Sequence, residues 1–394
     1  MVSEKMKGLG NNRSVIRDLF EYGNQRKAEI GAENVFDFSI GNPSVPAPDC
    51  VKEAILDLVE KKDAVELHGY TSAQGDAALR GKLAEYVNRT HGTELTADSF
   101  YITVGAAASL TISLKALAEQ GDEFIIFAPF FPEYRVFVEM TGAKAVVVEC
   151  RRENFQIDCE VLEQAITEHT KGLIINSPNN PSGVVLTEDC IKEVCVLLER
   201  KQKQYGHEIF LIADEPYREL VYGDVEVPYL MNYYDNTLVC YSYSKSLSLP
   251  GERIGYIAVS NRMKAWKDVY AAVCGAGRAL GFVCAPSLFQ QVIARCIGQT
   301  SDVSVYKKNR DILYQALTEY GFRCIKPDGA FYLFAESPEP DANAFSERAK
   351  KYELLLVPSD SFGMPGFVRI SYCVSTEQIQ KALPSFKKLA EEYQ

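Results

Sequence analysis

Residues 241–256 read YSYSKSLSLPGERIGY and follow the apolar run TLVC. Ser242, Ser244, Lys245 and Arg253 bring two hydroxyls, an amine and a guanidinium into one short stretch. A polar loop leaving a strand would look like this. So would a small anion cup with a reactive amine at its centre. Hydroxyls and a forked guanidinium are groups that grip phosphate oxygens. A lysine amine attacks a carbonyl carbon when its surroundings favour the neutral form.

Other polar groups stand at the ends of other apolar runs. YITV leads into Gly105, Ala106 and Ala107, and IIFAP leads into Phe130 and Phe131. LIINSP leads into Asn179, Asn180, Pro181, Ser182 and Gly183, and FLIA into Asp214, Glu215, Pro216 and Tyr217. In an open α/β sheet, ligands sit outside the carboxyl ends of the strands, so these groups belong to one site. Pyridoxal phosphate asks for such a set: Lys245 for its aldehyde and Asp214 for its ring nitrogen. A helix starting after Gly105 would offer a phosphate its unpaired N–H groups and positive dipole end, with no bulk at Ala106 or Ala107. Asn180 and Tyr217 are donors suited to a phenolic oxygen. Phe131 suits stacking on a flat ring, and equally suits a core.

The elements that would position these residues are legible as periodicity. SFYITVG, DEFIIFAP, AKAVVVEC, KGLIINSP, EIFLIADEP, NTLVCYSYS and RIGYIAVS are short and several are apolar nearly throughout, as strands buried on both faces should be. Helical patterns alternate with them, which predicts an α/β fold with right-handed crossovers. After about residue 285 the texture changes. A long helical stretch from SLFQQVIARCIGQ into YKKNRDILYQALTEYG precedes the strands FRCIKP, AFYLFAES and FVRISYC, and a last helix. The expected division is a large domain over 46–285 with a mostly parallel sheet, and a smaller α+β domain of 1–45 and 286–394.

Composition narrows the partners. The chain has 394 residues, 47% apolar and 24% charged, with a net charge of −11. That charge disfavours nucleic acid or an anionic membrane as main partner. No apolar run approaches the ~18 residues of a membrane span. The first twenty residues lack the apolar core of a signal peptide. The 11 cysteines show no C-x-x-C spacing, so free thiols in a reducing cytoplasm are expected rather than disulfides or a metal site.

These residues also resemble a known family. SYSKSLSLPGERIGY is similar to the S-x-S-K-x(7)-R-x-G signature of the class I and II aminotransferases, which are fold type I pyridoxal-phosphate enzymes. NNPSG resembles their N-P-[TS]-G, DEPYREL their D-x-x-Y, YTSAQGDAALRGKLAEY their Y-x-x-x-x-G-x-x-x-L-R, and FVRISY their late R-[IL]-[SA]. The likeness runs from about residue 14 to the end, in the family's order. It implies that Lys245 holds the cofactor and shuttles the proton, while Asp214 pairs with the pyridine nitrogen. It assigns Asn180 and Tyr217 to the phenolic oxygen, Phe131 to stacking, and the Gly105–Ala107 turn with Ser242, Ser244 and Arg253 to the phosphate. It implies a homodimer in which Tyr70 reaches the phosphate of the other subunit. Arg369 is expected to clamp the substrate α-carboxylate, helped by Gly41 and Asn180. Cis peptide bonds are expected before Pro181 and Pro129.

Substrate choice is less constrained. One group of aspartate aminotransferases has a lysine where VGAAASL has Ala107. Another group draws an arginine from the partner subunit, and GAGRALGFVCAP places Arg278 in about that position. Arg278 also reads as a surface arginine at a helix end. The expectation is aspartate or glutamate with 2-oxoglutarate. The alternatives are an aromatic or broad-range aminotransferase with Phe130, Phe131 and Tyr134 around the side chain, or a C–S lyase that keeps Lys245, Asp214 and Arg369. GAGRALG is not a dinucleotide fingerprint, because its third glycine is one residue late and no βαβ start surrounds it.

Overall fold

The computed structural model describes residues 2–11 and 14–394. In chain order its strands are β1 (Phe36–Asp37), β2 (Phe100–Thr103), β3 (Glu123–Ala128), β4 (Lys144–Glu149), β5 (Thr170–Asn176), β6 (Phe210–Asp214), β7 (Thr237–Ser242), β8 (Gly255–Val259), β9 (Tyr332–Glu336), β10 (Leu354–Leu355), β11 (Val357–Pro358) and β12 (Phe367–Ser371). Seven form one sheet in the order β2-β8-β7-β6-β5-β3-β4. β8 is antiparallel to both neighbours, and the pairs among β3, β4, β5, β6 and β7 are parallel.

The central strands are apolar nearly throughout because both faces are covered, whereas β4, at the sheet's edge, leaves Lys144, Val147 and Glu149 exposed. Leu173, Ile175, Leu211, Ala213 and Val239 join the core on one side, while Ile174, Ile212, Leu238 and Cys240 join the core on the other. That is the alternation a strand imposes. Each of the Leu, Ile and Val side chains contributes about 1.5–3 kcal/mol by leaving water. The helix Ala106–Leu117 covers one face with Leu110, Ile112 and Leu114, and the helix Glu188–Tyr205 covers the other with Ile191, Val194 and Leu198. With both faces closed, polar groups are left to the strand ends.

β9, β11 and β12 make a separate antiparallel sheet, and β1 pairs in parallel with β10. Their core holds Phe331, Leu333, Leu354, Val368, Ile370 and, from the helix Thr376–Glu391, Ile379 and Phe386. Val368 and Ile370 point into that core, so alternation sends Arg369 to the opposite face. Phe38 and Val45 pack with this smaller core, whereas Leu19 packs with the large sheet.

Three details depart from the sequence reading. The long helical stretch is two helices, Ser287–Cys296 and Ser304–Glu319, because the chain turns at Gly298 with φ +81°. The first of them puts Val292, Ile293 and Cys296 into a core of the large sheet, although it lies beyond the expected boundary at residue 285. FRCIKP is not a strand. It makes one bridge, Cys324 to Ala335, after which Pro327 has no N–H to give and its carbonyl accepts from Arg310 Nη1 at 2.9 Å.

Candidate active site

The carboxyl ends of β5, β6 and β7 open on a cavity of about 360 Å³, with Arg369 of β12 on its wall. Its lining includes Gly41, Ala106, Ala107, Phe131, Asn180, Asp214, Tyr217, Ser242, Ser244, Lys245, Arg253 and Arg369. The fold thus brings together groups from distant parts of the chain that the sequence reading placed in one site.

Lys245 sits in the single helical turn Tyr243–Ser246 that follows β7. Ser242 caps that turn: its hydroxyl accepts from Ser244 N at 3.2 Å and lies 2.8 Å from the Ser244 hydroxyl. The cap fixes where the Lys245 side chain leaves the strand. Its Nζ donates to the Gly41 carbonyl at 2.6 Å. Burial first, opposed by Cys373 and helped by the Arg369 and Arg253 charges, lowers its pKa to about 8.

The anion cup lies beside it. Gly105 adopts φ +94° before the helix Ala106–Leu117, and a Cβ there would stand 2.8 Å from Arg253 Nη2. Arg253 Nη1 donates to the Pro250 carbonyl at 2.9 Å and reaches the Ser244 hydroxyl at 3.4 Å. Two hydroxyls, one guanidinium and a helix N-terminus therefore converge.

Asp214 is the last residue of β6 and is buried. Its Oδ2 accepts from the Tyr134 hydroxyl at 2.5 Å, while its Oδ1 has no hydrogen-bond partner among the described residues. Burial pushes the carboxyl up to about 7, against the pull of the Tyr134 hydrogen bond. Asn176, at the end of β5, was not singled out from sequence. Its Nδ2 donates to the Asp214 carbonyl at 2.9 Å and its Oδ1 accepts from Asn180 N at 2.7 Å, tying two strand ends together. Asn179 closes the same turn by accepting from Ser182 N at 3.0 Å. The peptide bonds before Pro129, Pro178 and Pro181 are cis; the sequence reading expects the first and third but not the second.

Arg369 is 2% exposed and lies against the rings of Tyr332 and Phe362 at 4.7 and 5.2 Å. Its Nη2 donates to the Ser39 carbonyl at 2.5 Å and its Nη1 to Asn180 Oδ1 at 3.1 Å, leaving Nε without an acceptor among the described residues. Tyr332, also missed from sequence, lines the cavity with its hydroxyl 3.0 Å from that of Tyr217. A Cβ on Gly41 would collide with that Tyr332 hydroxyl. No pattern distinguished Asn176 or Tyr332, since a turn asparagine and a strand tyrosine are ordinary.

Two expected residues stand apart from the cavity of their own chain. Tyr70 is 97% exposed, and Arg278 is exposed at the end of the helix Trp266–Leu280. Of the aromatic candidates, Phe131 lines the cavity. Phe130 does not: it is buried in the core and packs under Gly363. Tyr134 is buried beneath Phe131, edge-to-face at 5.7 Å.

The model for aminotransferases of class I and II matches residues 33–386. A crystal structure of an amino transferase from Eubacterium rectale is similar at 58% identity and a TM-score of 0.98, covering 100% of this chain and 99% of that one. The aspartate aminotransferase of Thermus thermophilus with maleate is similar at 25% identity and a TM-score of 0.85, with 99% of each chain covered. Aromatic-amino-acid aminotransferase 2 of Thermococcus litoralis is 28% identical over 395 residues, covering 97% of this chain and 96% of that protein. With the match spanning most of its length and the whole fold shared, the chain belongs to the aminotransferases of class I and II, a family of pyridoxal-phosphate-dependent transaminases.

Proposed function

We propose that the cavity binds pyridoxal phosphate on Lys245 and that the enzyme transfers the amino group of aspartate or glutamate, with 2-oxoglutarate as acceptor. The observation that carries the cofactor assignment is the unpaired Oδ1 of buried Asp214. A buried carboxylate with a free oxygen is costly unless a cation meets it, and a protonated ring nitrogen is such a cation. When bound, the cofactor supplies an aldehyde and an electron-withdrawing ring that carry the amino group from donor to acceptor.

The chain's own groups do the rest. Ser242, Ser244, Arg253 and the N–H groups after Gly105 hold the phosphate. Tyr217 and Asn180 donate to the phenolic oxygen, and Phe131 packs on the ring. Arg369, with Nε free, takes the substrate α-carboxylate bidentately beside Gly41. Lys245, with a proton affinity near neutrality, takes the α-proton and returns it at the neighbouring atom. In a homodimer, Tyr70 and Arg278 reach the partner's cavity. Their segments are joined, since Cys284 N donates to the Ala73 carbonyl at 3.3 Å and Cys284 Sγ to that of Thr71 at 3.4 Å. The 11 free thiols suit a reducing compartment, and we place the enzyme in the cytoplasm.

One observation favours the second reading, an aromatic or broad-range aminotransferase. Within one chain the cavity's cations are Lys245, Arg253 and Arg369, each already assigned, and Ile16, Ile40, Leu110 and Phe131 make the remaining wall apolar. Arg278 decides between the two. The experiment is kcat/KM for aspartate, alanine and phenylalanine in the parent and in Arg278→Ala. The expected result is a loss of about tenfold to a hundredfold for aspartate alone. Phenylalanine turned over as well as aspartate in the parent, or an equal loss on all three, selects the second reading.

A further inference from the structure

Among the described residues, Tyr134 makes the one side-chain hydrogen bond to the Asp214 carboxyl. It is 2% exposed, and its hydroxyl donates to Asp214 Oδ2 at 2.5 Å. Asn176 holds the backbone of Asp214 from the other side. The carboxyl therefore cannot swing without breaking a buried hydrogen bond, and the free Oδ1 is held in one direction. The same turn carries Phe131, whose carbonyl accepts from Tyr134 N at 3.0 Å and whose ring meets the Tyr134 ring edge-to-face. One turn thus aims both an aromatic wall and a carboxylate.

We propose that Tyr134 is a positioning residue for the cofactor: its hydroxyl orients Asp214 so that Oδ1 meets the ring nitrogen, and it favours the ionised form of that carboxyl. This rests on Asp214 being the partner of the ring nitrogen. A hydroxyl bonded to the charged form favours it, whereas burial disfavours it. Tyr134 is itself pushed well above the usual phenol range by burial, so it keeps its proton and donates. The other titratable groups that face Asp214 are Glu215 and Tyr217 on its own turn and Cys240 on β7. Glu215 opposes ionisation, and Tyr217 and Cys240 are held neutral by burial. Among these side chains, Tyr134 alone stabilises the charge.

The test uses Tyr134→Phe, Asp214→Asn and the double variant. Cofactor affinity is measured by equilibrium dialysis between about pH 6 and 9, and the Asp214 carboxyl is titrated by carbon NMR in the apoprotein, its signal assigned by loss in Asp214→Asn. Removing a donor to the charged form raises the carboxyl's titration midpoint, here by about one unit or more. Tyr134→Phe should therefore weaken cofactor binding about tenfold or more at the acid end, and the loss should shrink as pH rises. In the Asp214→Asn background the same change should cost little. Replacing Tyr134 with 3,5-difluorotyrosine, which keeps the ring and strengthens the donor, should move the midpoint down. Unchanged affinity and midpoint in Tyr134→Phe, with Asp214→Asn strongly impaired, would overturn the role of Tyr134 and leave the cofactor reading intact. Unchanged cofactor affinity in Asp214→Asn would overturn both. A loss in Tyr134→Phe that persists in the Asp214→Asn background, or that does not vary with pH, would mark Tyr134 as packing only.

Discussion

Lys245 keeps a buried amine whose proton affinity falls from 10.5 to about 8 on folding, chiefly through desolvation. Its linkage has a definite sign. Below about pH 8 the amine is charged in both states and its burial penalises the fold. Between about 8 and 10.5 the unfolded chain binds a proton that the folded chain does not, so stability rises with pH. The total is on the order of 3 kcal/mol. Lys245→Met apoprotein should therefore be more stable than the parent at pH 7, with the advantage shrinking by pH 10; denaturant unfolding at both values reads it. An advantage that stays constant with pH would show the amine to be solvated. Arg369→Lys keeps the charge and loses the fork, and should lower kcat/KM for amino acids about a hundredfold without releasing cofactor; steady-state kinetics beside the bound-cofactor spectrum separates the two. Lys245, Asp214 and Arg253 could be grouped from the sequence because the chemistry restricts the residue types, and Arg369 through the family resemblance; all four line one cavity. Asn176, Tyr332 and the role of Tyr134 were not, because they act by holding other residues.

At the scale of elements, the site depends on how strands hand over to helices. Gly105 makes that handover with φ +94°, close against Arg253. Gly105→Ala should cost about 1–3 kcal/mol of stability and displace the guanidinium, weakening cofactor binding about tenfold or more. Gly206, at the end of the helix Glu188–Tyr205, also has positive φ (+76°) but open space around it. Gly206→Ala should cost stability alone. Thermal melts and cofactor dialysis on the pair distinguish strain from a broken cup; equal cofactor loss in both would sink the assignment. The inner strands of the large sheet were readable because two-sided burial makes them nearly continuous apolar runs, and the edge strand β4 was readable from its apolar run at 145–148. The break at Gly298 was hidden by helical patterns on both sides, and FRCIKP looked like a strand because its residues suit one while Pro327 denies it the pairing.

Across the whole molecule, the exposed apolar side chains Val65 (80%) and Tyr70 (97%) precede the segment 71–73 tied to Cys284. A homodimer would cover them and complete each cavity. Sedimentation should give a dimer, and Tyr70→Phe should weaken the cofactor about tenfold while leaving the mass unchanged; a fully active monomer would contradict this. One chain's contacts carry neither expectation, since a partner would supply both. The cofactor-binding and activity predictions presuppose that Lys245 carries the cofactor. The direct measurement is borohydride reduction of protein loaded with pyridoxal phosphate, then peptide mass mapping in the parent and in Lys245→Ala. The expected result is one phosphopyridoxyl group on Lys245 in the parent and none in the variant. A label on another lysine, or an equal label in Lys245→Ala, would contradict it.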